Sequence, residues 1–206
     1  ANGIAESLII GSDFVGDDNI CLILGDNIFH GNNFTNLLDK ARLNLENNYS
    51  TIFGVDVDNP NDFGVIELDS ENNINNIVEK PDNTSSKMIV SGLYYYTNEA
   101  VKIAMNLKPS LRGELEITDI NNYYLSQEKL RLIKLDSDTS WIDTGTYDSL
   151  IQASKYFQDY ENKTAKKVAC IEEIALNLGY IDKTKLKTIA NSMKNSNYGK
   201  YLLKLI

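Results

Sequence analysis

Two carboxylates stand at the ends of apolar runs: Asp26 in "ICLILGDNIFHG" and Asp143 in "SWIDTGTYDSL". Packing requires an acid at neither place. In open α/β sheets, strand ends and helix N-termini leave a crevice where ligands collect. A carboxylate there can hold Mg²⁺, a hard cation that takes one or two carboxylates and completes its shell with water and phosphate oxygens. The competing assignments are local ones, an Asx turn at Asp26 or Asn27 and a helix N-cap around Asp143.

Two further polar interruptions carry charge. In "NNIVEKPDN" a strand runs into Pro81, which ends it. Glu79 could accept hydrogen bonds from sugar hydroxyls there, and Lys80 could hold a phosphate as a point charge. The alternative is an exposed edge protected by a charge pair. In "KPSLRGELEITD", Arg112 precedes an expected helix start at Gly113. A guanidinium beside unpaired helix N–H groups makes an anion site, and a solvated arginine near a capped helix is the alternative.

Other chemistries are narrowed by what the sequence lacks. His30 is the single histidine, so a Ser-His-Asp or Cys-His arrangement can form only around it, and a multi-histidine metal site cannot form. No G-x-x-x-x-G-K-[ST] and no strand-linked G-x-G-x-x-G is present. A formal net charge of −9 and a pI near 4.7 leave no basic surface for nucleic acid or anionic membranes, so small molecules and other proteins remain as partners. Cys21 and Cys170 have no paired spacing, and both read as reduced core thiols. With no membrane-spanning run and no basic-then-apolar start, a cytoplasmic protein is the expectation.

The elements that must position these groups read as an α/β protein with a mixed central sheet. Asn2 is placed to cap a short helix carrying Ile4, Leu8 and Ile9 on one face. "ICLIL" reads as a central strand buried on both faces, because it is a continuous apolar run bounded by turn residues. Phe34, Leu37, Leu38, Ala41 and Leu45 form a helical stripe, and "STIFGVDV" follows as another buried strand. "DFGVIELDSENNINNIVEKP" is a strand pair around a turn at residues 70–73, and "MIVSGLYYYT" a further strand. Helices are expected over "NEAVKIAMNL" and "GELEITDINNYYLSQ", a strand over "KLRLIKL", and helices alone after "WIDTGT".

Taken in order, "LGDNIFHG", "DFGVIELD", "VEKP", "VSGLYYY", "LKPSLRGELEITDIN", "WIDTGT" and "NYGKYLLK" resemble the glucose-1-phosphate thymidylyltransferases, also called dTDP-glucose pyrophosphorylases. The resemblance spans essentially the whole chain, and "RGELEITD" with "WIDTGT" is its most specific part. It implies a Rossmann-like nucleotidyltransferase fold over residues 1–146, with a helical region, 147–206, packing on it. It also implies thymidylyl transfer from dTTP to glucose 1-phosphate on the way to dTDP-rhamnose and related deoxysugars, with Mg²⁺ as cofactor and a homo-oligomer, a tetramer in the family. By motif, Asp26 and Asp143 match the metal ligands, and Gly64, Glu79 and Val90 line the glucose. Lys80 and Arg112 hold the sugar phosphate and align it, while Asn2, Gly3 and Ile4 read the base and deoxyribose. Glu173 in "CIEEIA" matches a regulatory nucleotide site.

Two departures from the family pattern stand out. Phe63 replaces an expected tyrosine, which removes a hydroxyl. The family's G-G-x-G-T-R phosphate loop is not in the sequence, so the chain is expected to be a C-terminal portion that lacks useful turnover of its own and whose sheet lacks a covering strand. A pyrophosphorylase for another nucleotide or sugar, or a non-catalytic sugar-phosphate-binding or regulatory subunit, fits the same residues.

Overall fold

A computed structural model describes residues 2–206 as two compact units, one ending at Gly145 and the other running from Thr146 to Ile206. The first unit is built on β6 (Met88–Tyr96). This strand is buried along nearly its whole length because its two faces serve different cores. Val90, Tyr94 and Tyr96 face one core with Ile52, Ile66 and Ile120, whereas Leu93 turns to another with Phe53, Ala41 and Ile133. That division follows from the period-2 geometry of a strand.

Beside β6, β3 (Ser50–Asp56) runs antiparallel, and β7 (Leu130–Lys134) lies parallel to β3. Along its other side, β6 pairs with β4 (Gly64–Leu68) at Ile89 and with β1 (Ile20–Ile23) from Leu93 to Tyr96. β5 (Ile74–Glu79) completes the β4 hairpin. The sheet is therefore mixed, as expected. α3 (Phe34–Glu46), α4 (Glu99–Asn106) and α5 (Ile117–Ser126) form close to their expected positions, preceded by the short α1 (Glu6–Ile10) and α2 (Ser12–Val15). A second, two-stranded sheet joins β2 (Asn27–Gly31) to β8 (Thr139–Asp143), and no pattern in "NIFHG" announced it.

Three expectations are corrected. Among the described residues β1 lies at an edge: it pairs with β6 alone, its residues alternate in exposure, and Cys21 is exposed there instead of lying in the core. An apolar run reports the need for cover, not how many neighbours supply it. Ile23, Ile10 and Phe14, the last 96% exposed, lie uncovered in the same part of the chain. α1 begins after Ala5, and Asn2 is not its cap; instead the Glu6 carboxylate accepts both the Asn2 N–H and its amide, at 3.0 and 2.6 Å. α5 begins at Ile117, so Gly113 is a turn residue with φ +78°.

The second unit is helical, with α6 (Tyr147–Thr164), α7 (Ile171–Asn177), α8 (Lys183–Ser192) and α9 (Asn197–Leu203). Its core gathers Cys170, Leu186, Ala190 and Leu202. Thr146 caps α6 through a reciprocal capping box with Ser149, so Asp143 is not needed as the cap. No helix among the described residues is long and apolar enough to cross a membrane.

The Tyr94, Tyr96 and Tyr124 rings stack in sequence through the main core, and the buried Tyr96 hydroxyl donates to Asn121 Oδ1 at 2.6 Å. Tyr96→Phe keeps the stack and orphans a buried acceptor, which should destabilise the protein by about 1–3 kcal/mol. Urea unfolding of the variant measures this, and an unchanged midpoint would show that Asn121 finds another donor.

Candidate active site

The antiparallel register of β2 and β8 places Asn27 opposite Asp143, so Asp26 and Asp143 meet at one end of the ribbon. Thr144 closes that end, its N–H and its hydroxyl both donating to the Asp26 carbonyl at 2.8 Å. Both carboxylates border Gly145: a Cβ there would lie 2.9 Å from Asp143 Oδ1 and 3.7 Å from Asp26 Oδ2. The Gly145 N–H donates to Asp143 Oδ1 at 2.7 Å, and the Asn27 amide donates to Asp26 Oδ1 at 2.8 Å. Two carboxylates of one approach, each held by a single donor, suit a hard divalent cation that draws its other ligands from water and substrate.

Both acids border a cavity of about 180 Å³. Its far wall is made where β5 ends. Glu79 Oε2 accepts the Thr118 hydroxyl at 2.5 Å, while Glu79 Oε1 lies 3.3 Å from Arg112. Arg112 also meets Glu114 at 3.0 Å and the buried Glu116 at 3.7 Å. The guanidinium therefore sits among three carboxylates on a turn, where Ser110 N–H donates to Glu114 O at 2.8 Å, and one of the three, Glu116, is the N-cap residue of α5. Among the described residues, six acids and two bases line the cavity. That excess attracts cations and opposes a bare phosphate, so charge compensation must accompany any anion.

Lys80 follows Glu79 with φ +40°, in the left-handed region that costs a residue with a Cβ about 1–2 kcal/mol. Preceding a proline adds to the constraint, because Pro81 restricts the residue before it to extended conformations. The Lys80 N–H donates to Phe63 O at 3.0 Å, and Asn61 Nδ2 donates to Pro81 O at 2.6 Å, which hold the turn in place.

Asp26, Gly64, Glu79, Lys80, Val90, Arg112, Asp143 and Ile4 all line this one cavity. Asn2 and Gly3 lead into it: the Leu115 N–H donates to Asn2 O at 2.6 Å, and Gly3, at φ +109°, lies so close to the Leu115 backbone that a Cβ would stand 2.3 Å from its carbonyl oxygen. Glu173 belongs to the helical unit, where it accepts the Tyr201 hydroxyl at 2.5 Å. His30 sits on β2 opposite Ser140 and does not line the cavity. Thr118, Glu116, Gly92 and Tyr94 also line it and were not foreseen. Once Val90 is assigned, period-2 alternation would have supplied Gly92 and Tyr94, but nothing local marks Thr118. Burial, and then the Glu79 charge, push the Tyr94 phenol up, so it faces the cavity as a neutral hydroxyl.

The model of the family described as Nucleotidyl transferase matches residues 1–160. The chain belongs to the nucleotidyl transferase family. Among curated nucleotidyl transferases it is 43% identical to the glucose-1-phosphate thymidylyltransferase of Neisseria meningitidis, over all of this chain and 70% of that protein. The enzyme of the same name from Mycobacterium tuberculosis is 38% identical over all of this chain and 70% of its own length. A Bacillus anthracis protein assigned to the glucose-1-phosphate thymidylyltransferases, solved with sucrose, superposes with a TM-score of 0.65 at 37% identity, covering 76% of this chain and 61% of that one. A UDP-glucose pyrophosphorylase solved with UDP-glucose shares the fold, with a TM-score of 0.67 at 22% identity over 77% of this chain and 63% of that one. The present nucleotidyl transferase chain thus spans about 70% of its curated relatives' length and less than two thirds of these solved chains.

Lys80→Gly removes the left-handed penalty and should leave thermal stability equal or higher, whereas Lys80→Ala retains the strain. Paired melting curves decide, and a Lys80→Gly variant clearly less stable than Lys80→Ala would show that the turn carries no strain.

Proposed function

We propose that the chain serves thymidylyl transfer from dTTP to glucose 1-phosphate, with release of pyrophosphate. The observation that carries this is the gathering of Glu79, Lys80, Arg112, Asp26 and Asp143 around one cavity, in a chain whose relatives bear that enzyme's name. Glu79 and Thr118 offer an acceptor and a hydroxyl to sugar hydroxyls. Gly64 leaves room for the ring, since a Cβ there would stand 3.0 Å from Thr118 Oγ1 and 3.4 Å from Glu79 Oε2. Val90 supplies an apolar contact. Ile4, which lines the cavity, is assigned with Asn2 and Gly3 to the base and deoxyribose.

A phosphate oxygen of glucose 1-phosphate attacks the α-phosphorus of dTTP, and the bond to the bridging oxygen breaks as pyrophosphate leaves. Little covalent chemistry falls to the protein, so orientation and charge neutralisation dominate. Lys80 and Arg112 hold the sugar phosphate and aim its oxygen. For Arg112 this means exchanging a carboxylate partner for phosphate. Asp26 and Asp143 would hold a divalent cation, magnesium in this reading, which would supply Lewis acidity.

The dTDP-rhamnose pathway and a homo-oligomeric assembly belong to the same proposal. So does a regulatory nucleotide site at Glu173, whose partner Tyr201 lines a cavity of about 370 Å³ with Lys166, Lys167, Lys200 and Lys204.

Calorimetric titration of this chain with glucose 1-phosphate in Mg²⁺ should show binding that Lys80→Gly weakens at least tenfold and Gly64→Ala reduces by filling the space between Glu79 and Thr118. Equal affinities would remove the sugar-phosphate assignment. Turnover is read as pyrophosphate release from dTTP and glucose 1-phosphate, with this sequence joined to a G-G-x-G-T-R segment. There Asp143→Asn should lower the rate by at least about a hundredfold, since charge on the reacting phosphates is no longer compensated. Near-normal turnover at saturating Mg²⁺ would overturn Asp143 as a ligand.

A further inference from the structure

The Asp26 carboxylate is oriented by a device that reaches across the ribbon and into the main sheet. Asn27 Nδ2 donates to Asp26 Oδ1 at 2.8 Å. The Asn27 side chain is nearly buried, the residue being 9% exposed, and its Oδ1 accepts the Trp141 indole N–H at 2.7 Å. The same N–H lies 3.0 Å from Ser91 O, so a three-centre bond ties the indole to β6. The Trp141 ring also meets Phe63 edge-on, with centroids 5.7 Å apart.

An amide can present either end, and its surroundings decide which. An indole N–H only donates, so Trp141 fixes the Asn27 oxygen inward and turns the NH₂ toward Asp26. Gly92 makes the slot possible. Its φ is +73°, and a Cβ there would stand 3.0 Å from Asn27 Cγ, Asn27 Oδ1 and Leu24 Cδ1. The backbone of β6 thus approaches the amide so closely that a side chain at this position would crowd it. With Oδ1 of Asp26 engaged, Oδ2 is the oxygen turned toward Gly145 and the Asp143 carboxylate.

We infer that Asn27, locked by Trp141, is a positioning residue that sets the Asp26 carboxylate for divalent-cation binding. This rests on the reading of Asp26 and Asp143 as the cation's ligands. Partners that orient a ligand typically change metal affinity 10–100-fold when removed. A bond from an amide NH₂ leaves the carboxylate charge intact while fixing which oxygen is offered.

The test is Mn²⁺ binding to the 206-residue chain, followed through the electron paramagnetic resonance signal of free Mn²⁺. Wild type should bind and Asp143→Asn should not. Asn27→Ala should weaken binding about tenfold. Trp141→Phe keeps an aromatic ring but loses the N–H together with part of the ring; it should weaken binding severalfold in the wild-type background and not at all in Asn27→Ala. That non-additivity distinguishes positioning through Asn27 from a general packing defect, and Trp141→Phe alone still tests the idea if Asn27→Ala does not fold. Unchanged affinity in Asn27→Ala or Trp141→Phe, with binding still lost in Asp143→Asn, would overturn the positioning role alone. Additive losses in the double variant would overturn it as well. Absence of Mn²⁺ binding by wild type would sink both the ligand assignment and the inference.

Discussion

The pairing of Asn27 with Asp143 across β2 and β8 is the constraint on which the site depends. A slip of one residue in this register would turn every side chain of β2 to the other face, because strand side chains alternate. Asp26 would then leave the Asp143 side of the ribbon, and Trp141 would lose Asn27, its partner 114 residues away in sequence. The ribbon has only two strands, and an isolated pair is marginal in water. Its register is fixed from outside, by the Trp141 bond to Ser91 on β6 and by the close approach of Gly92 to the Asn27 amide. The large sheet therefore serves the chemistry indirectly, by holding the small one.

What the sequence revealed divides along the same line between local pattern and long-range pairing. Phe34, Leu37, Leu38 and Ala41 mark α3 because a helix stripe is written within a dozen residues, and the Ser70–Asn73 turn marks the β4–β5 hairpin for a similar reason. Edge or centre is not written locally, so "ICLIL" read as central although β1 touches only β6. "GELE" looks like a first helical turn because acids favour that position. Here those acids instead surround Arg112, and Leu115 pairs with Asn2, which draws the segment out until Ile117. The cavity residues Asp26, Glu79, Lys80, Arg112 and Asp143 were each visible as a polar break in an apolar pattern. Thr118 was not, since a threonine inside a helix breaks nothing; only Glu79 gives it meaning.

Charge in the cavity is arranged against a bare phosphate. Among the described residues Arg112 is the only guanidinium lining it, and it already faces Glu79, Glu114 and Glu116. Arg112 and Glu79 are about 38% and 22% exposed at their side chains, so solvent screens the pair and its exchange for phosphate is inexpensive. Glu116 is more deeply enclosed and keeps the Ser110 hydroxyl at 2.7 Å when the guanidinium turns away. Rearrangement on anion entry would thus free Glu79 Oε1 while Thr118 keeps Oε2 in place. Recognition of phosphate and of sugar hydroxyls would be linked through one shared ion pair.

Lys80 shows how backbone and charge are combined at one residue. A left-handed conformation before a proline is unfavourable twice over, and the β4–β5 register that pairs Gly64 with Glu79 ends at the preceding residue. An extended Lys80 would continue the strand and carry its ammonium along the sheet edge, where the charge would only guard against strand addition. The left-handed turn instead ends the ladder and leaves Lys80 on the wall shared by Glu79, Phe63 and Gly64. Strain of this kind persists only where the surrounding structure over-determines it, and the Lys80 bond to Phe63 with the Asn61 bonds to Pro81 and Asp82 meets that condition. The edge-protection reading of this charge pair predicts a relaxed backbone. The observed φ of +40° favours the cavity instead.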